Sequence, residues 1–317
     1  MMLSSTSRPS MESTTDAQSH GNGSYLNSQS TEMILAFVSL FITLLGTAGN
    51  GFVIWFLLFH FKKNPFTVYI LHLSIADLTF LLCAFTTIIG IIISYNFSTG
   101  PFKIEVFLII FYVLVLFGYN TGFYLLTAIS VERCLSVLYP IWYQCQRSKY
   151  QSAIVCTILW VFSVFMTSLE AFMYVWEIGF SVRIYIVLQI VVLILNFLVF
   201  APLMVISSLT LFIKVFCNLK HRQPAKLYII IITTVILFLL FAMPCRFSLM
   251  MSNLKAINHE SVRVLFPYFT LLSFVNSSVN PIVYVVVGRL RGQRTRKSLK
   301  DTLQKVFEDK SHPRVRS

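Results

Sequence analysis

Charge is scarce in this chain of 317 residues: Asp, Glu, Lys and Arg together make 12%, against 56% apolar residues. A water-soluble domain carries about a quarter charged residues, so a soluble globular fold is excluded first. Cysteines are few, and Cys83, Cys134, Cys145, Cys156, Cys217 and Cys245 all lie in apolar stretches or basic loops. No disulfide is therefore expected to hold an extracellular surface together. The chain has no cluster with metal-ligand spacing, no nucleophile triad and no phosphate-binding glycine loop, so neither an enzyme nor a resident cofactor is expected. Gly46-Thr47-Ala48-Gly49 is a helix-packing run. The duplicated halves common in transporters are also missing. Residues 1–32 are rich in Ser, Thr, Asn and Gly and lack the apolar core of a cleavable signal peptide, so a disordered external tail is expected there.

What the chain has instead is long apolar runs. Thirty phenylalanines contribute, and the mean hydropathy is +0.77. A spanning helix needs roughly 20 apolar residues, and seven stretches qualify: about 33–59, 66–94, 104–131, 151–175, 184–213, 227–251 and 262–287. The expected fold is an all-α membrane protein, a seven-transmembrane bundle over 33–287, with an amphipathic eighth helix and tail over 288–317. Basic residues set its orientation. Nineteen of the 25 Lys and Arg fall on one side, ten of them from Arg289 onward. Basic loops stay cytoplasmic, which puts the N-terminus outside and the C-terminus inside. The net charge of +13 then reflects this bias and attraction to anionic membrane lipid, with no call for nucleic acid. Asn22-Gly23-Ser24 and Asn96-Phe97-Ser98 match the glycosylation pattern and fall outside. Asn276-Ser277-Ser278 matches too, but sits within an apolar run.

An ionisable group at mid-membrane costs a few kcal/mol, so each one is a functional candidate. Asp77 lies mid-way along the second stretch, with Asn50 in the first and Asn276 and Asn280 in the seventh as natural partners. They form either a structural polar cluster or one that rearranges in a switch. Pro202, Pro244 and Pro281 interrupt otherwise continuous spans and bend them. Glu132-Arg133-Cys134 closes the third stretch at the inner boundary, where the acid can hold the arginine in a neutralised pair. The plainer reading of that motif is an interfacial anchor.

These elements come in a fixed order: Asn50, Leu73-Ser74-Ile75-Ala76-Asp77, Glu132-Arg133-Cys134, Trp160, Pro202, Pro244 and Asn280-Pro281-Ile282-Val283-Tyr284. The series resembles the rhodopsin-like G protein-coupled receptors over about residues 33–307. Asn64 to Leu73, Gly118-Tyr119-Asn120-Thr121-Gly122, the run Leu125 to Tyr143 and Phe241-Ala242-Met243-Pro244 are similar to the Mas-related branch. The resemblance implies a multi-pass plasma-membrane receptor whose Arg133 engages a heterotrimeric G protein, with Tyr284 rotating inward to support that state. It also implies a sodium pocket framed by Asp77, Asn276 and Asn280, although Gly122 replaces the usual serine donor. Other departures are Leu108 for the outer cysteine, Pro224 for the acid that usually locks the arginine, Ala242 for the tryptophan switch and Thr210 for a helix 5 tyrosine. A weakly restrained resting state with basal signalling is the expectation.

For the ligand, Val115 replaces the aspartate of amine receptors, and Phe274 replaces the lysine of light receptors. Glu170, about 7 Å below the end of its stretch at 1.5 Å per residue, is the positive sign. By the resemblance, an acid here holds basic peptides or cationic amphiphiles. Alternatively it pairs internally with Arg246, which itself can bind a ligand carboxylate. Tyr174, Trp176, Tyr268 and Phe269 line the mouth or belong to the interfacial aromatic belt. In the tail, Leu299, Leu303, Val306 and Phe307 recur at helical spacing, fitting a short helix on the inner membrane surface. A transporter or channel using Asp77 in an ion path is the alternative class.

Overall fold

The computed structural model describes the backbone of residues 13–59, 65–96, 101–145, 147–148, 150, 151–175, 182–217, 225–253 and 259–290. All regular structure among them is helical: α1 (Ser13–Phe59), α2 (Pro65–Asn96), α3 (Pro101–Leu138), α4 (Pro140–Cys145), α5 (Gln151–Val175), α6 (Val182–Leu193), α7 (Ala201–Cys217), α8 (Ala225–Leu237), α9 (Met243–Asn253) and α10 (His259–Leu290). Three of these start on proline, whose fixed φ suits the first helical position and whose missing N–H has no partner to lose there. Pro140 also ends α3, because the residue before a proline is driven out of helical geometry.

Two π-helical segments interrupt the bundle, Ile194–Phe200 between α6 and α7 and Phe238–Ala242 between α8 and α9. Each lies just ahead of a proline, Pro202 and Pro244. The missing N–H breaks the regular ladder, and the wider turn re-pairs it: Ala201 N–H reaches the Asn196 carbonyl and Met243 N–H reaches Phe238. Pro267 and Pro281 sit inside α10, which runs on without interruption.

Six described helical stretches are long and apolar enough to cross a membrane: Ser30–Phe59, Pro65–Ser94, Glu105–Leu138, Gln151–Met173, Arg183–Lys214 and Tyr228–Ser252. The fifth spans α6 through α7, and the sixth spans α8 through α9. The seventh apolar run lies in α10, which packs against α1, α2, α8 and α9. The pattern is inverted relative to a soluble fold. Phe41, Val161 and Leu198 are exposed, while Asn50, Asn120 and Asn280 are buried. Hydroxyls serve their own helix carbonyls, as Thr43 does to Ser39 (2.8 Å) and Ser130 to Leu126 (2.9 Å), because hydrocarbon offers no water to do so.

α1 begins at Ser13, ahead of residue 33, where the apolar run opens and a disordered tail was expected to end. Extending an existing helix is far easier than starting one, so the span carries the polar residues before it. The amphipathic helix and tail were expected over 288–317; α10 runs on to Leu290, and the remainder lies outside the described residues, as do the Asn22 and Asn96 side chains. Asn276 is 4% exposed inside α10, out of reach of glycosylation. Cys83, Cys134, Cys145, Cys156 and Cys245 are free thiols.

α3 is the hub, touching α2, α4, α5, α7 and α8. It approaches α2 closely at Gly118, where a Cβ would lie 2.7 Å from the Phe80 backbone nitrogen and 2.8 Å from its Cα. The helix-packing run in α1 behaves similarly: a Cβ on Gly46 would meet Ser278 and Leu81, and one on Gly49 would sit 3.3 Å from Pro281. Gly118→Ala should therefore separate two backbones and destabilise the bundle by about 1–3 kcal/mol. Gly51→Ala, with nothing within 4 Å of its Cβ, should leave stability level or slightly raised. Thermal midpoints of the purified variants in one detergent check this; equal midpoints would contradict the close approach.

Candidate functional site

Three buried polar layers cross the bundle, and α3 contributes to each. The first sits at its C-terminal end. Glu132 and Arg133 are 7% and 4% exposed, and three donors converge on one carboxylate oxygen, Glu132 Oε1: Arg133 at 3.2 Å, the Tyr143 hydroxyl at 2.8 Å and Arg147 at 2.6 Å. Tyr143 closes a ring by accepting from Arg133 at 3.0 Å. Burial pushes its hydroxyl up to about 12, with Arg133 pulling the other way, so Tyr143 keeps its proton and its role as donor at neutral pH. Rings of Phe66 and Tyr143 flank the Arg133 guanidinium at 5.1 and 5.8 Å. Arg147 is fixed in turn by Ser152 at 2.5 Å. The neutralised pair read from the sequence is present and buried, with two further partners that the sequence reading did not name. Pro224, where the usual locking acid aligns, lies outside the described residues.

The second layer is mid-bundle. Asn280 donates to Asp77 Oδ2 at 2.7 Å. Asn50, expected to bond Asp77, instead donates to the carbonyls of Ser277 at 3.1 Å and Gly46 at 3.0 Å. It thereby ties α1 to α10 near Pro281. Asp77, Asn276, Ser273, Ser277, Gly122 and Tyr119 are among the residues lining a cavity of about 10 Å³, room for one water-sized occupant. Oδ1 of both Asn276 and Asn280 is buried without a partner. Carboxylate and amide oxygens are the donors a hard cation takes, while Gly122 opposite Asp77 supplies no side-chain oxygen. Tyr284 is 1% exposed. Where the tryptophan switch is missing, the Tyr119 hydroxyl donates to the Ala242 carbonyl at 3.2 Å, and its ring lies 5.9 Å from Phe238. A side chain of α3 thus grips the π-segment before Pro244.

The third layer lies toward the opposite end. Arg246 of α9 donates to Glu170 Oε1 of α5, and Asn120 of α3 donates to the same oxygen at 3.4 Å and to Thr167 at 3.1 Å. Glu170 is therefore paired internally, the second of its two readings. Tyr268 is exposed and Phe269 half-buried, while the Tyr174 side chain and Trp176 lie outside the described residues. Val115 and Phe274 fill apolar space around Phe80, offering no charge to a ligand.

The family model described as 7 transmembrane receptor (rhodopsin family) matches residues 49–284. Mas-related G-protein coupled receptor member H of Mus musculus is 54% identical over 274 residues, 86% of this chain and 83% of that protein. Proto-oncogene Mas of Homo sapiens is 42% identical over 311 residues, 96% of this chain and 92% of that one. Member D of Macaca fascicularis is 32% identical over 295 residues. The chain belongs to the rhodopsin family of receptors, in its Mas-related branch. It is thus a multi-pass plasma-membrane receptor and not an enzyme, and membership implies a G protein on one face and an extracellular ligand on the other.

Sequence reasoning passed over Asn120, Arg147 and the roles of Tyr119 and Tyr143 in this receptor. For Asn120 a weaker signal was there, a neutral amide in the middle of an apolar span, which still needs a partner when buried. Arg147 gave none, since a basic residue in a basic loop looks solvated.

Breaking a buried ion pair from one side leaves an unanswered charge and costs about 3–5 kcal/mol, whereas removing both partners is far milder. Glu170→Gln and Arg246→Met alone should each cut surface expression and thermal midpoint sharply, and the double variant should recover most of the loss. Additive losses in that cycle would show that the two residues are not coupled.

Proposed function

We propose that this receptor crosses the membrane seven times, with α10 as the last crossing, the N-terminus extracellular and the Glu132–Arg133 layer at the cytoplasmic face. The carrying observation is the Arg133 guanidinium, 4% exposed, held by Glu132 and Tyr143 at the end of α3. Signalling then consists of releasing Arg133 to the C-terminal helix of a G protein α subunit. Pro244 and its π-segment let the lower part of α8 swing, and Asn280, Pro281 and Tyr284 of α10 repack behind it. The restraint on Arg133 comes from the loop after α3, so the resting state leans on Tyr143 in place of an acid from α8.

On the extracellular side, Glu170 is the proposed anchor for a basic peptide or a cationic amphiphile, with Tyr268 and Phe269 of α10 as candidate mouth residues. A sodium ion beside Asp77, Asn276 and Asn280 has oxygen donors but nothing from Gly122, and we assign it a weak hold. Anionic lipid suits the basic residues after Arg289. Family membership disfavours the transporter or channel reading of Asp77.

Nucleotide exchange on a purified heterotrimer, with the receptor in nanodiscs, tests this. Arg133→Ala should abolish receptor-stimulated exchange. Tyr143→Phe removes hydrogen bonds worth about 1 kcal/mol, so ligand-free exchange should rise about fivefold. Exchange equal to empty nanodiscs for wild type and Tyr143→Phe alike would defeat the proposal.

A further inference from the structure

The Glu170–Arg246 pair is electrically balanced but its hydrogen bonding is incomplete. Arg246 and Asn120 both donate to Glu170 Oε1. Neither bond uses Oε2, and Glu170 is only partly buried, which leaves that oxygen for another donor. Arg246 Nε is buried and donates none, and Asn120 Oδ1 is buried and accepts none. Arg246 itself is only 5% exposed. The cluster therefore holds a fixed cation with an open donor beside a fixed anion and an amide with open acceptors. Native interiors seldom leave such atoms unanswered unless something else answers them.

The charges decide what that is. A simple cation placed on Glu170 would meet Arg246 on the same carboxylate, the two-to-one imbalance that Arg133 and Arg147 already impose on Glu132, whereas a balanced ligand avoids it. A simple carboxylate placed on Arg246 would meet Glu170 in the mirror-image conflict. Interactions of this kind are strong where the local dielectric is low. A ligand group carrying both signs adds no net charge and fills both open valences.

We propose that this cluster is a zwitterion subsite, in which Arg246 Nε and Glu170 Oε2, with Asn120 Oδ1, take a carboxylate and an adjacent ammonium or guanidinium. A basic peptide would enter by a C-terminal basic residue with its carboxylate free. The inference rests on the reading of Glu170 as a ligand anchor and narrows it.

Three probes separate the two ideas on full-length receptor in nanodiscs, read by ligand-induced thermal stabilisation: acetyl-glycyl-arginine, its C-terminal amide, and acetyl-glycyl-citrulline. The free acid should stabilise the receptor at concentrations at least tenfold below those needed for the amide or the citrulline compound. The Glu170→Gln/Arg246→Met double variant, which removes both charges together and so avoids a stranded one, should lose that preference. Equal potency of acid and amide on wild type, with both lost in the double variant, would overturn the zwitterion subsite and leave Glu170 as a plain cation anchor. No stabilisation by any probe would overturn both. Retention of the acid's effect in the folded double variant would place its binding elsewhere and overturn both as well.

Discussion

Arg133 sits at the end of an apolar helix with 4% of its surface exposed, and an arginine so placed stays only while its charge is answered. Much of the inner architecture follows from that requirement. Glu132 supplies the counter-charge from the next position along, but neighbours on a helix do not face each other, so the pair needs outside help to hold its shape. Tyr143 supplies it by bonding to both partners, and Pro140 makes it available by ending α3 and turning the chain back as α4. Arg147 adds a second positive charge on the same carboxylate. The cluster is thus well bonded yet carries two cations for one acid, a balance that an incoming partner can tip.

The same constraint recurs at two other depths, with α3 linking them. Tyr119 and Asn120 are adjacent, and they serve different layers: Asn120 bonds Glu170, while Tyr119 bonds the Ala242 carbonyl and lies 5.9 Å beneath the Arg246 guanidinium. A change in the Glu170–Arg246 pair is therefore one side chain away from the π-segment that precedes Pro244. Gly118 lets α3 approach α2 closely enough for this arrangement, while a Cβ on Gly122 would sit in ordinary contact with Asp77 at 3.9 Å. At Ala242, where the family usually has a bulky tryptophan, the Tyr119 hydroxyl bonds the backbone carbonyl.

Length and hydropathy sufficed to read six of the expected spans, because hydrocarbon admits no irregular backbone and leaves little choice. Buried polar residues were legible for the same reason: Asp77, Asn280, Glu132 and Arg133 lie where an unpaired group would be costly, and they do pair. Partners across loops were not legible. Arg147 meets Glu132 through a turn whose path no periodicity dictates, and Asn50 bonds the backbone carbonyls of Gly46 and Ser277, which no side-chain pattern signals. The π-segments were invisible as such, although Pro202 and Pro244 marked where they had to fall. Glu170 was read as either a ligand anchor or an internal partner of Arg246, and the pairing is visible only where α5 and α9 bring the two together.

The central claim is that Arg133 is held by its own loop at rest and surrendered on coupling. A structure of the full-length receptor bound to a nucleotide-free heterotrimer tests it most directly. The account expects the guanidinium to have left Glu132 Oε1 and the Tyr143 hydroxyl and to contact the C-terminal helix of the α subunit. A coupled complex in which Arg133 still bonds both Glu132 and Tyr143 would contradict it.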